Sequence, residues 1–341
     1  MFFEKNYVIM IISYLEQFLT ERELLFVKEF NINSNDGGQR LDKFAAKAVP
    51  KLPKSMMYKA IRNKRIKVNG KRAEISLRLE EGDTVQMYIN DEFFETSPEK
   101  EFLSVSSALN IVYEDGNILL IDKKNGLVVH EDNDNTADTL INRVKKYLYE
   151  KGEYDPDAEN SFAPALCNRL DRNTGGIVIA AKNAETLRIL NQKIRDREIE
   201  KRYLCVTVGI PPKNEDRLTA YLEKNSADNT VRVTNRKTPV NKTIITEYRV
   251  LKTRDGLALL EVKLDTGRTH QIRAHMAYIG CPLLGDGKYG INRINKEYKV
   301  KTQALYSYKL KFAFTSESGC LEYLNGREFQ VGDVWFLDKF V

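Results

Sequence analysis

Polar and apolar positions change rhythm several times along the chain, and each change predicts an element. Regular patterning begins near Phe30. Residues 40–45 open one helix, and residues 55–61 open a second, with Ser55 placed as its N-cap. Residues 65–68 alternate as a strand and run into Asn69-Gly70, a strong hairpin signal, and residues 81–89 give a turn and another alternating strand. Residues 91–107, with Ser97-Pro98-Glu99-Lys100, read as a linker. Beyond it, 111–115 and 118–124 are short strands across an Asp-Gly-Asn turn, 136–150 has the spacing of an amphipathic helix, and 168–176 is a polar loop leading into the buried run 177–181. A helix over 184–197 follows, with Leu187, Leu190 and Ile194 on one face, and then a strand over 201–208. Further strands are expected near 217–223, 243–251, 257–264, 305–314 and 331–336, with a helix capped by Thr269 between the third and fourth of them. Irregular alternation with hairpin turns favours an α+β fold over a doubly wound sheet. The expected domains are an extension over 1–29, a small α+β domain over 30–90, the linker over 91–107, and a large domain over 108–341.

Charge sharpens the division. The net charge is +6, yet twelve Lys/Arg fall between Gln39 and Ile75 against only Asp42 and Glu74, so the rest of the chain is slightly acidic. Same-sign charge on two helices and a hairpin is costly unless phosphates meet it, which marks 30–90 as a polyanion-binding module with a nucleic acid as the expected partner. No apolar run is long enough to span a bilayer, so no membrane partner is expected. The four cysteines lie far apart with no C-x-x-C pair, which fits a reducing cytoplasm rather than a disulfide framework. Residues 8–12 are apolar but lack a cleavage site, so 1–29 reads as a helical extension or as an over-long start rather than a secretory signal.

Several chemistries are then excluded by spacing. His270 and His275 are five apart, about 140° around a helix, and no acidic cluster surrounds them, so no metal site is expected. Gly285-Asp286-Gly287-Lys288-Tyr289-Gly290 matches G-x-G-x-x-G without the strand-turn-helix setting a dinucleotide needs. No phosphate loop of G-x-x-x-x-G-K-[ST] type and no G-x-S-x-G elbow occurs. What remains is Asp171, set between Arg169 and Arg172 in a Gly-bounded loop, where neighbouring cations favour its ionised form. An aspartate in a turn is more often a side-chain cap than a catalyst, so these residues alone do not decide its role.

Two resemblances bear on that role. The segment carrying Arg40-Leu41-Asp42-Lys43, residues 62–70 and Glu81-Gly82-Asp83-Thr84-Val85 resembles the RNA-binding module of ribosomal-protein S-four type. That resemblance implies RNA contacts from Arg40, Lys43, Lys54, Lys59, Arg62, Lys64, Arg65 and Lys67. Residues 122–130, 168–176, Lys201-Arg202-Tyr203, and 267–275 with 285–290 resemble the RluA/RluC/RluD-type pseudouridine synthases over about 200 residues. The resemblance implies a mixed, largely antiparallel catalytic domain that isomerises uridine in structured RNA, most readily large-subunit ribosomal RNA, without cofactor, metal or nucleotide, and as a monomer. It implies Asp171 as the essential aspartate, Tyr203 as the ring stacked on uracil and a candidate base, and Arg273 as the arginine paired with Asp171. Arg169 is implied to fill the vacated RNA stack, Leu264 to pack on the base, and Arg268 and His270 to bind substrate. Asn168 and Gly175 depart from the family's histidine and serine and question how the RNA strand is contacted. The competing expectation is a non-catalytic RNA-binding or ribosome-assembly factor on the same scaffold.

Overall fold

The apolar runs of the chain are shared between two separate units. The computed structural model describes residues 27–94, 100–131, 136–225 and 230–340, so the expected extension over 1–29 lies almost wholly outside the described residues. The described residues fall into two compact units: those up to 100 together with 155–162, and the remainder from 101 onward.

In the first unit, β1 (Val27–Asn31), β2 (Ile66–Val68), β3 (Lys71–Arg72) and β4 (Thr84–Tyr88) form a sheet in the order β1-β4-β2-β3. Helices α1 (Leu41–Ala48) and α2 (Lys54–Arg62) bury Leu41, Phe44, Met57 and Ile61 against it. Pro53, not Ser55, holds the N-cap position of α2. Proline there has its φ preset and spends no N–H, so the helix starts at Lys54, two residues sooner than a cap at Ser55 would place it. Val68 pairs with Lys71, leaving Asn69 and Gly70 as a two-residue turn with φ of 51° and 72°, the left-handed pair that a tight hairpin requires. Segment 155–162 belongs to this unit through buried Asp36, whose carboxylate accepts from Asn160 Nδ2 at 2.7 Å and Ser161 Oγ at 2.5 Å.

The second unit is built on one sheet. Its path is β11 (Thr230–Thr234), β10 (Glu215–Asn225), β12 (Lys242–Arg254), β13 (Leu257–Leu264), β9 (Ile199–Val208), β14 (Leu305–Phe312), β8 (Gly175–Ala181), β6 (Ile118–Lys123) and β5 (Ile111–Glu114). Two short strands join it from the side, β7 (Ala165–Leu166) on β8 and β15 (Glu328–Gln330) on β14. Only β14 and β8 pair in parallel among these strands, so the sheet is mixed and largely antiparallel, as expected. Strand β8 is buried on both faces: Ile177 and Ile179 enter one core and Val178 and Ala180 the other. That double burial is why it reads as an unbroken apolar run rather than an alternating one. Helices α3 (Leu140–Glu150), α4 (Ala184–Arg195), α5 (Gln271–Tyr278), α6 (Asn292–Glu297) and α7 (Leu337–Phe340) complete it.

Several local expectations change. Helix α3 starts at Leu140 with Thr139 as its cap, later than the apolar pattern from 136 predicts. Strand β11 was not among the expected strands. Residues 331–336 are not a strand; Val331, Val334 and Phe336 are buried in irregular chain after β15, so their apolar character records packing rather than pairing. Within 91–107, two 3₁₀ turns form and Phe102 is buried against Tyr149 and Tyr154. No helix among the described residues is long and apolar enough to cross a membrane. All four cysteines are free thiols.

Candidate active site

The loop between β7 and β8 carries Asp171, and its shape is set from beneath. Lys123 at the end of β6 is 1% exposed and donates to the carbonyls of Lys124, Leu127 and Arg172 at 3.0, 2.8 and 2.9 Å. One buried ammonium thus ties the Asp171 loop to the neighbouring turn, and burial pulls its pKa down to about 8 against the opposing charges of Asp171 and Asp122. Asn168 accepts from Ile179 N at 2.8 Å and donates to Ile177 O at 3.3 Å. At the loop's other end a Cβ on Gly175 would sit 2.3 Å from Tyr306 Cε2. The two departures from the family pattern therefore face the protein's own strands: Asn168 clasps β8, and Gly175 makes room for the Tyr306 ring.

Asp171 meets Arg273 at 2.8 Å, Nη1 to Oδ2. Arg273 in turn donates Nε and Nη2 to Asp286 at 2.7 and 2.9 Å, and Asp286 accepts backbone N–H groups of Lys288 and Tyr289 at 2.8 and 3.1 Å. Burial works against both charged groups, lowering the Arg273 pKa and raising that of Asp286, but their mutual bonds outweigh it. Arg273 is therefore held above its ordinary value and Asp286 below its own. A fully ionised, fully bonded pair lies behind Asp171, whose Oδ1 takes no hydrogen bond among the described residues.

Helix α5 delivers Arg273, and its start corrects the expectation for Thr269. His270 occupies the cap position in the left-handed region, φ 53°, and makes no side-chain cap bond. Instead Gln271 Oε1 accepts from Arg268 N at 3.1 Å and Thr266 Oγ1 at 2.9 Å, closing the turn from inside the helix. His270 Nε2 then lies 3.8 Å from Asp171 Oδ2, while His275 turns into the core and bonds Thr246 at 3.0 Å. Tyr203 projects from β9 opposite Val262 of β13. Burial pushes its phenol up to about 12, offset in part by a hydrogen bond with Ser307 and reinforced by the charge of Asp171.

Asp171, Tyr203, Arg273, Arg169, Leu264, Arg268 and His270 all line one cleft of about 670 Å³. The structure adds Arg195, Arg197, Lys201 and Lys263 to its walls. Arg195, Arg197 and Lys263 fall outside the strings that carry the resemblance, and Lys201 lies inside one but was not singled out from it. Sequence reasoning also missed Asp286 and Tyr289 as site residues, although they lie inside the quoted 285–290 string; a buried carboxylate leaves no local mark. In the first unit, Lys43, Lys54, Lys59, Arg62, Lys64 and Arg65 are exposed, Lys67 lies 4.9 Å over the Tyr88 ring, and Arg40 is paired with Asp42 at 3.0 Å.

Residues 117–278 match the RNA pseudouridylate synthase family, and residues 39–85 match the S4 domain. A Rickettsia felis protein, ribosomal large subunit pseudouridine synthase C, is 32% identical over 317 residues, covering 89% of this chain and 96% of that one. The chain belongs to the RNA pseudouridylate synthase family. An uncharacterized RNA pseudouridine synthase of Aquifex aeolicus is 34% identical over 270 residues, covering 77% of this chain and 80% of that protein. The solved structure of human RNA pseudouridylate synthase domain containing 1 shares the fold, with a TM-score of 0.52 at 21% identity over 67% of this chain and 84% of that one. This chain is thus an RNA pseudouridine synthase with an S4 domain at its RNA-binding end, and the expectation of a non-catalytic factor is set aside.

Proposed function

We propose that this pseudouridine synthase acts on large-subunit ribosomal RNA in the cytoplasm, as a monomer, with Asp171 as its nucleophile. The ribosomal target is supported by the name of the Rickettsia felis relative and by the S4 match, both of which span the matching part of this chain. The observation that carries the role of Asp171 is its setting. One carboxylate oxygen is held by Arg273, itself fixed by Asp286, and the other opens into a cleft walled by cations.

The isomerisation breaks the bond from uracil N1 to C1′ of the ribose, turns the base, and bonds C5 to C1′. The proton leaves C5 and N1 gains one, so nothing is added or lost and no cofactor is consumed. A carboxylate can form and then release a covalent bond during this sequence, on the sugar or on the base. Extruding the uridine costs about a few kcal/mol, which phosphate contacts from Arg169, Arg268 and the cleft lysines offset. In this reading the Tyr203 ring stacks on the base and Leu264, which lines the same cleft, packs against it. At neutral pH its hydroxyl is the neutral phenol, so it reaches the sugar proton as a phenol and not as a ready phenolate.

The test is tritium release from unmodified large-subunit ribosomal RNA labelled at C5 of uridine, wild type beside Asp171→Ala. Release by wild type alone supports substrate and nucleophile together. Release only from bulk transfer RNA overturns the ribosomal target and keeps the chemistry, and release by Asp171→Ala overturns the nucleophile. Light scattering in the same buffer reads the monomer.

A further inference from the structure

The cleft holds a hydrogen-bond chain that the reaction described above does not use. Tyr289 Oη accepts the backbone N–H of Val231 on β11 at 2.8 Å and lies 2.9 Å from His270 Nδ1. The opposite ring nitrogen, Nε2, lies 3.8 Å from Asp171 Oδ2. The two rings meet edge to face at 5.7 Å, and the Arg273 guanidinium lies 5.3 Å from the Tyr289 ring centroid.

Proton accounting fixes the direction of this chain. A phenol has one hydrogen and two lone pairs. Val231 N–H takes one lone pair, and Nδ1 is the only other polar partner of Tyr289 Oη among the described residues. If His270 carried its proton on Nδ1, the tyrosine proton would have no acceptor in a half-buried site. The phenol therefore donates to Nδ1, which must be a bare lone pair, and the single proton of the neutral imidazole is left on Nε2, toward Asp171. Such outer partners commonly set a histidine's tautomer.

We infer that Tyr289 is a positioning residue: it holds His270 in the Nε2–H form, presenting a neutral N–H donor beside the Asp171 carboxylate to a carbonyl or hydroxyl oxygen of the bound uridine. This rests on the reading of Asp171 above. The 3.8 Å separation is too long for a hydrogen bond within the protein, which leaves that donor free for substrate. The groups facing His270 are Asp171 from its loop, Arg273 from α5, and Asp286, Lys288 and Tyr289 from the 285–290 loop. Burial lowers its pKa, Asp171 opposes and Arg273 and Lys288 add to the fall, so the ring stays neutral at pH 7.

The chain has three histidines, so imidazole nitrogens can be resolved by long-range proton–nitrogen NMR on histidine-labelled protein. Without RNA, wild type is expected to show His270 in the Nε2–H form at pH 7, and Tyr289→Phe a mixture of both tautomers with a raised pKa. In turnover, Tyr289→Phe should lose about tenfold in kcat with KM little changed, and its acid limb should move toward neutral pH. His270→Gln, whose amide can reach the Nε2 position, should retain more activity than His270→Asn, although asparagine is the better residue for a left-handed backbone. An Nδ1–H or charged imidazole in wild type at pH 7 overturns the inference, whatever the RNA substrate proves to be. So does a Tyr289→Phe protein whose tautomer and pH profile match wild type.

Discussion

Arg273 reaches Asp171 already oriented, because Asp286 takes its Nε and Nη2 at 2.7 and 2.9 Å and leaves only Nη1 for Asp171. Asp286 is fully buried, so the pair is a supporting strut of the cleft as well as its electrostatic partner. Removing one half of a buried pair strands the other charge, at a cost of about 3–5 kcal/mol. Asp286→Asn should therefore lower the denaturation midpoint and depress kcat together. Because the folded pKa of Asp286 lies below its unfolded value near 3.8, its contribution is present above that value and is lost as pH falls through the folded pKa. Denaturant titrations of wild type from pH 5 to pH 2 should show that acid loss, and Asp286→Asn should show less of it. Equal slopes for both proteins would remove Asp286 from the stabilising pair.

How far this could be foreseen depends on distance along the chain. Asp171 and Arg273 were legible because each sits in a distinctive string, and their pairing followed from the family resemblance. Asp286 sits in a string that invited comparison with a nucleotide loop, and its partners Arg273 of α5 and Asn295 of α6 come from the helices before and after that string. The ends of β13 are legible because its apolar run is bounded by Asp255-Gly256 before Leu257 and by Asp265 after Leu264. Val331 to Phe336 are apolar enough to suggest a strand, but Val331, Val334 and Phe336 are buried without its period of two, in irregular chain.

Asp171→Asn preserves the loop, since Thr174 N donates to the Asp171 backbone oxygen and not to the side chain. It should bind RNA with affinity near wild type and release no tritium. Retained turnover would end the nucleophile reading.

Tyr203→Phe keeps the ring and removes the hydroxyl bonded to Ser307. If stacking is its main service, KM for RNA should stay within about threefold while Tyr203→Leu raises it further. Since the phenol ionises only at about 12, wild type should show no Tyr203-dependent alkaline limb below pH 10. An alkaline limb that vanishes in Tyr203→Phe would contradict this.

Gly175 is required by Tyr306, whose ring would lie 2.3 Å from a Cβ there and whose hydroxyl is fixed by Asp122 at 2.7 Å. Gly175→Ser should destabilise by about 1–3 kcal/mol through overpacking. Adding Tyr306→Ala should recover part of that loss, so the double variant is more stable than the sum of the singles predicts. Strict additivity would show that the two positions do not compete for space.

Removing the basic unit outright is a poor test of it, because segment 155–162 folds with that unit through Asp36, Asn33 and Asn35, and deleting residues 1–95 would leave its Glu159, Asn160 and Ser161 without partners. Side-chain substitutions avoid this. Lys59, Arg62, Lys64 and Arg65 are exposed on or just after α2, and none belongs to the sheet-facing core. Replacing all four with glutamine should leave the thermal midpoint nearly unchanged. If each meets one phosphate, the slope of log affinity against log salt should shrink by about 0.7–0.9 per residue. Arg40, already paired with Asp42, should contribute less when replaced alone. Turnover at saturating RNA should hold while KM rises, because the chemistry lies in the second unit. An unchanged salt slope in the fourfold variant would mean that this charge is only a solvated face.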